Sequence, residues 1–164
     1  MRKDIFPISP RLEKYLQQYG REKKLSVSYR DLLNYRYSNP VINKSGKITH
    51  WETAVYDLKE MEIIKEGLVN TYAALKTEGN LNFVNHLDVE RIDFCEFGNS
   101  MPFRIRIINR INDNYDHFYI KAADASRIYG LELEDLLTPN HITFLTHKNT
   151  LVEEHIPGIP GDIF

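Results

Sequence analysis

Residues 103–122 constrain the fold more than any other part of the chain. Phe103, Ile105 and Ile107 alternate with Arg104 and Arg106, the two-residue period of a strand with one buried face and one basic face. Asn112-Asp113-Asn114-Tyr115-Asp116 is strong turn chemistry. His117-Phe118-Tyr119-Ile120-Lys121 then returns antiparallel, with Phe118 and Ile120 on one side and Tyr119 and Lys121 on the other.

Strands continue on both sides of this hairpin. Residues 87–97 change apolar parity midway, which predicts a bulge or bend. After Lys121 come a short acidic helical segment over 125–137, two further strand candidates, and a strand that breaks into Ile156-Pro157-Gly158. Residues 81–164 therefore read as a twisted antiparallel sheet with one short helix.

The first 80 residues read as a mixed module. Leu12, Tyr15, Leu16 and Tyr19 make one stripe of a short helix with Ser9 as N-cap and Gly20 as stop. Leu25-Ser26-Val27 suggests a brief extended piece, and Ser28 to Asp31 a helix start. Asn43-Lys44-Ser45-Gly46 is a turn between Val41-Ile42 and the β-branched, aromatic run 47–56, hence a hairpin. The turn lacks the first glycine and the Lys-Ser/Thr pair of a phosphate loop. The longest helix is expected over Asp57 to Leu75, with Asp57 and Glu60 as a capping pair and Leu58, Met61, Ile64, Leu68, Tyr72 and Leu75 as the core stripe. Gly67 within it marks close packing. The fold class is α+β, with a boundary near residue 80.

Composition narrows the function. With 21 basic and 23 acidic residues the net charge is −2, which gives no electrostatic reason to expect nucleic acid or an anionic membrane. No apolar run approaches the ~20 residues that span a bilayer, and Met1 to Pro7 has no signal-peptide core. One cysteine, Cys95, excludes an intrachain disulfide and fits a reducing compartment, so the expected location is cytoplasmic. Cys95 itself reads as a buried structural residue. His141 and His147 have no third ligand spaced with them, so no metal site is expected. Arg104, Arg106 and Arg110 pair locally on this reading, with Asp113 and Asp116 as the nearest acids.

Three features flank Lys121 in order. Phe97-Gly98-Asn99-Ser100 precedes the hairpin, Glu132 and Glu134 lie in the following helical segment, and Glu153-Glu154-His155-Ile156-Pro157-Gly158 closes the region. The order resembles the N-terminal small lobe of the protein-kinase-like fold and its small-molecule phosphotransferase relatives, in which a twisted sheet and one helix lead through a hinge to a larger lobe. The resemblance covers residues 87–164 and implies ATP as cofactor. It makes Gly98, Asn99 and Ser100 the phosphate-covering turn, Lys121 the cation on the α- and β-phosphates, and Glu132 or Glu134 its helix partner. It makes the backbone from Glu154 to Ile156 the edge that reads the base. The sequence stops at Phe164, before any catalytic-loop or metal-binding aspartate. The resemblance thus implies the nucleotide-binding half of a phosphotransferase, with no catalytic residue of its own and a missing C-terminal lobe or partner chain. The alternative is a non-enzymatic α+β module that binds a protein or small ligand.

Overall fold

The hairpin over 103–122 forms the middle of a seven-stranded antiparallel sheet. The computed structural model describes residues 4–77, 79 and 81–158. The strands are β1 (Tyr37–Ile42), β2 (Ile48–Val55), β3 (Leu87–Phe94), β4 (Phe103–Asn109), β5 (Tyr115–Ala122), β6 (Phe144–His147) and β7 (Thr150–Glu154). The helices are α1 (Pro10–Gln18), α2 (Tyr29–Leu32), α3 (Leu58–Lys76) and α4 (Ala125–Leu137), with a 3₁₀ turn over Leu81–His86. This is an α+β fold. No helix among the described residues is long and apolar enough to cross a membrane.

The strand order is β1-β2-β3-β4-β5-β7-β6. One sheet takes strands from both expected modules, because β2 pairs with β3 through Glu52 opposite Phe94 and Thr53 opposite Asp93. The parity change in 87–97 is a register shift between Val89 and Arg91. It returns Arg91 to the face that carries Arg104 and Arg106. Asn43 builds the first hairpin turn: its side-chain oxygen accepts from the backbone N–H groups of Ser45 and Lys47, and Gly46 supplies φ +78°.

One face of the sheet carries the larger core. Ile92, Ile105, Ile107, Phe118, Ile120 and Val152 pack with Ile64 and Leu68 of α3 and with Val27 and Leu32. Burying each such side chain contributes roughly 1.5–3 kcal/mol. Gly67 is where α3 presses closest, since a Cβ there would lie 2.3 Å from Val27 Cγ2. Two local expectations fail here. Asp57 makes no side-chain cap bond, because its carboxylate pairs with Arg36. Leu58 is exposed, so the buried stripe starts one turn later.

On the other face, Leu151 and Phe144 pack with Leu12 and Leu16 of α1 and with Ile128 and Leu131 of α4. These helices cover the β7–β6 end. Segment 21–23 does not continue into a strand at 25–27. It closes the β6 edge instead: Lys23 N–H donates to Thr146 O and Thr146 N–H to Arg21 O. The part of this face that α1 and α4 leave uncovered holds Trp51, Asp93, Arg104, Tyr119 and Lys121.

Candidate functional site

Lys121 points to the α4 side of the sheet because β5 alternates, and Phe118 and Ile120 take the core side. Its register partner on β7 is Leu151, and Tyr119 lies opposite Glu153. Glu153 is therefore the diagonal neighbour of Lys121 on the same face. The contact is made: Lys121 Nζ is 2.6 Å from Glu153 Oε2. Arg127, in the first turn of α4, grips the same carboxylate, with Nε 2.8 Å from Oε1 and Nη2 3.3 Å from Oε2.

Glu153 is 4% exposed. Burial pushes its carboxyl up, but the hydrogen bonds from Arg127 and Lys121 overcome this and hold it below the ordinary carboxylate range. The cluster of Lys121, Arg127 and Glu153 carries two positive charges and one negative, and Asp124 and Glu154 add carboxylates to the cavities beside it.

The expected pairing of Lys121 with Glu132 or Glu134 is not formed. Glu132 faces α1, where it accepts from Arg21 Nε at 3.0 Å and from the Tyr15 hydroxyl at 3.3 Å. It follows Arg127 by five residues, which turns it about 140° away around the helix. Glu134 shares Arg127's side of the helix but lies about 10 Å further along the axis. The helix thus offers the lysine's neighbourhood an arginine, and the carboxylate comes from the strand. The sequence held a signal for this. A cation in the first turn of a helix opposes the helix dipole by about 0.3–1 kcal/mol, so Arg127 needs a compensating partner.

Two cavities share Lys121 and Arg127 as lining residues. The first, about 260 Å³, adds Asn99, Ser100, Asp124 and Ile5. The second, about 240 Å³, adds Trp51, Tyr119, Ile142, Glu154, His155 and Ile156. Five of the sequence-derived residues therefore border these two adjoining cavities, the groove at Lys121: Asn99, Ser100 and Lys121 the first, and Lys121, Glu154 and Ile156 the second. Gly98 stands behind them, turned toward Pro102, whose Cδ would lie 3.0 Å from an added Cβ. The backbone N–H of Glu154 donates to Thr143 O, and its carboxylate accepts from Lys76 Nζ at 2.8 Å. Beyond the strand end, His155 and Ile156 line the second cavity.

Residues 4–9 cross the start of α4. Ala125 N–H donates to Phe6 O at 2.8 Å, and Phe6 N–H donates to Asp124 Oδ1 at 3.2 Å. This brings Ile5 into the wall of the first cavity.

At the other end, Arg104 stacks over Trp51 at 4.2 Å and pairs with Asp93. The basic strand face does pair locally, but with Asp93, Glu90 and Asp88 on β3 rather than with Asp113 or Asp116. His141 and His147 face Asp135 and Glu22, respectively. Among the described residues no group of three or more His, Cys, Asp or Glu side chains is arranged for a metal ion. Cys95 is buried.

No family model, no curated protein and no solved structure matches this chain.

Proposed function

We propose that the groove at Lys121 and Arg127 binds the phosphates of ATP, and that this chain is the nucleotide-binding half of a kinase-like phosphotransferase. The observation that carries the reading is the convergence of the 97–102 turn with Lys121. Asn99 and Ser100 come from the turn between β3 and β4, the lysine stands on the third strand of that meander, and all three line one cavity. Kinases place a phosphate-covering loop and a strand lysine in that relation. The second cavity supplies what a purine needs, with Trp51, Tyr119, Ile142 and Ile156 as walls.

In this reading Glu153 replaces a helix glutamate as the group that positions the lysine. Arg127 adds a second cation, suited to a phosphate oxygen. Phosphoryl transfer is left to a partner segment that supplies the metal-binding and catalytic carboxylates.

The test is calorimetric titration of wild type and Lys121→Ala with a non-hydrolysable ATP analogue. We expect the wild type to bind and the variant to lose about tenfold in affinity, or ~1.4 kcal/mol. Absence of binding to the wild type overturns the proposal.

One observation favours the non-enzymatic alternative. Tyr129, Leu133, Leu136 and Leu137 form an exposed apolar stripe on α4, the kind of surface an interaction module presents. A chain that binds no nucleotide but retains a protein partner through this stripe would carry that reading.

A further inference from the structure

A further cavity, about 550 Å³, has neither Lys121 nor Arg127 in its lining. It lies between the segment 25–33 and the β6–β7 turn, and its lining includes Leu25, Ser26, Arg30, Leu33, Lys148 and Asn149. Its volume is in the usual range for small-molecule sites.

Two of its lining residues are cations. Arg21, Arg36, Arg91, Arg104, Arg106, Arg110 and Arg127 each meet a carboxylate. Arg30 and Lys148 have no ion-pair partner among the described residues, although both border the cavity. One carboxylate, Asp31, also lines it, and that group already accepts from the Ser28 backbone N–H at 2.8 Å and the Ser28 hydroxyl at 2.7 Å. His147, at the same rim, is turned to Glu22, with Nδ1 3.2 Å from Oε1.

Both cations sit on braced backbone. Arg30 is in α2, which a reciprocal capping box between Ser28 and Asp31 closes. Tyr29 beside it donates its N–H to Thr150 Oγ1 and its hydroxyl to Met101 O. Lys148 occupies a left-handed conformation, φ +50°, and its N–H donates to the Glu22 carboxylate, which also accepts from the Thr146 hydroxyl. Strained or over-determined backbone that presents an unpaired cation is the construction expected of a ligand clamp. The apolar atoms of Leu25 and Leu33 give the same cavity a non-polar wall.

We infer that this cavity is a second ligand site, for a small organic anion whose phosphate or carboxylate meets Arg30 and Lys148 and whose apolar group lies against Leu25 and Leu33. The inference is independent of what the Lys121 groove binds. Ala122 lines this cavity and also the first cavity of the groove, so a ligand here would rest against the end of the strand that carries Lys121.

The experiment is an amide-resolved NMR titration of the full chain with phenyl phosphate, benzoate and the neutral benzyl alcohol. The anions should give saturable shifts confined to residues 25–33, 122 and 147–150, while benzyl alcohol should not saturate. The double substitution Arg30→Ala, Lys148→Ala should weaken anion binding by about tenfold or more, as loss of two charge-assisted contacts implies. Both side chains are exposed, so the variant should melt like the wild type. Shifts that persist in the variant, that centre on Lys121 and Arg127, or that benzyl alcohol reproduces would overturn the site.

Discussion

Two carboxylates are buried on the same face of the sheet, and each holds two cations. Asp93 has no exposed surface; Arg91 Nε lies 2.8 Å away and Arg104 Nη2 2.7 Å away. Glu153 holds Lys121 and Arg127 at 2.6 and 2.8 Å. The two clusters are alike in chemistry and differ in what surrounds them. Every partner of Asp93 comes from a strand, including the Thr53 hydroxyl at 2.9 Å, and Trp51 lies against Arg104. The partners of Glu153 join a strand to a helix, and both line cavities. A buried carboxylate whose partners all stand on strands fixes strand register. One whose cations border cavities leaves those cations within reach of a ligand.

The largest effect should come from breaking the Asp93 cluster. Asp93→Ala removes a fully buried carboxylate and leaves two partly exposed guanidinium groups without that partner, and should cost about 3 kcal/mol in denaturant unfolding. A loss below about 1 kcal/mol would mean that the two clusters do not differ as described.

Glu153→Ala should cost less, about 2 kcal/mol, because Arg127 has a side chain 41% exposed and can turn to water. Equal losses in the two variants would erase the contrast. Acid sharpens it. Because the folded pKa of Glu153 is depressed, its contribution is complete above the ordinary value of 4.5 and is lost as pH falls through the lower folded value. Wild type should therefore lose more stability than Glu153→Gln over that range, as measured by urea midpoints at successive pH values.

His117 gives a smaller effect at the β4–β5 side of the same face. Burial, with Arg104, His155 and Arg106 nearby, lowers its pKa from 6.5 to about 4. Between those values the unfolded chain takes up the proton and the folded one does not, so stability falls as pH drops. His117→Gln should flatten this part of the pH profile. The smallest expected change is Trp51→Leu, which removes the ring under Arg104 and should cost about 0.5–1 kcal/mol.

The local elements were legible in the sequence where one residue type had one physical job. Asn43 and Gly46 specify their turn, the alternation over 103–107 specifies β4, and the parity change within 87–97 specifies a bulge. Gly67 signals the close approach of Val27. What was not legible depends on contacts distant in sequence. The pairing of β2 with β3 joins residues about forty apart, and no local pattern encodes it. The candidate site divides in the same way. The order along the chain singles out Asn99, Ser100, Lys121 and Ile156, and the fold places them on the linings of two cavities that share Lys121. The partner of Lys121 was missed because Glu132 is drawn to Arg21, a residue on the far side of α4 that only the packing of α1 supplies. Glu153 was in view as a residue but not as a partner, since its diagonal relation to Lys121 exists only once β5 and β7 are neighbours.

The crossing of residues 4–9 over the start of α4 bears on how this protein should be handled. Two hydrogen bonds made by the Phe6 backbone, one to the Asp124 carboxylate and one from the Ala125 N–H, hold that crossing, and Ile5 is part of the groove wall. A bulkier or charged side chain at Ile5 would therefore reshape the cavity wall directly. The Asn43–Gly46 turn contributes no residue to that lining, so a label there leaves the wall unchanged.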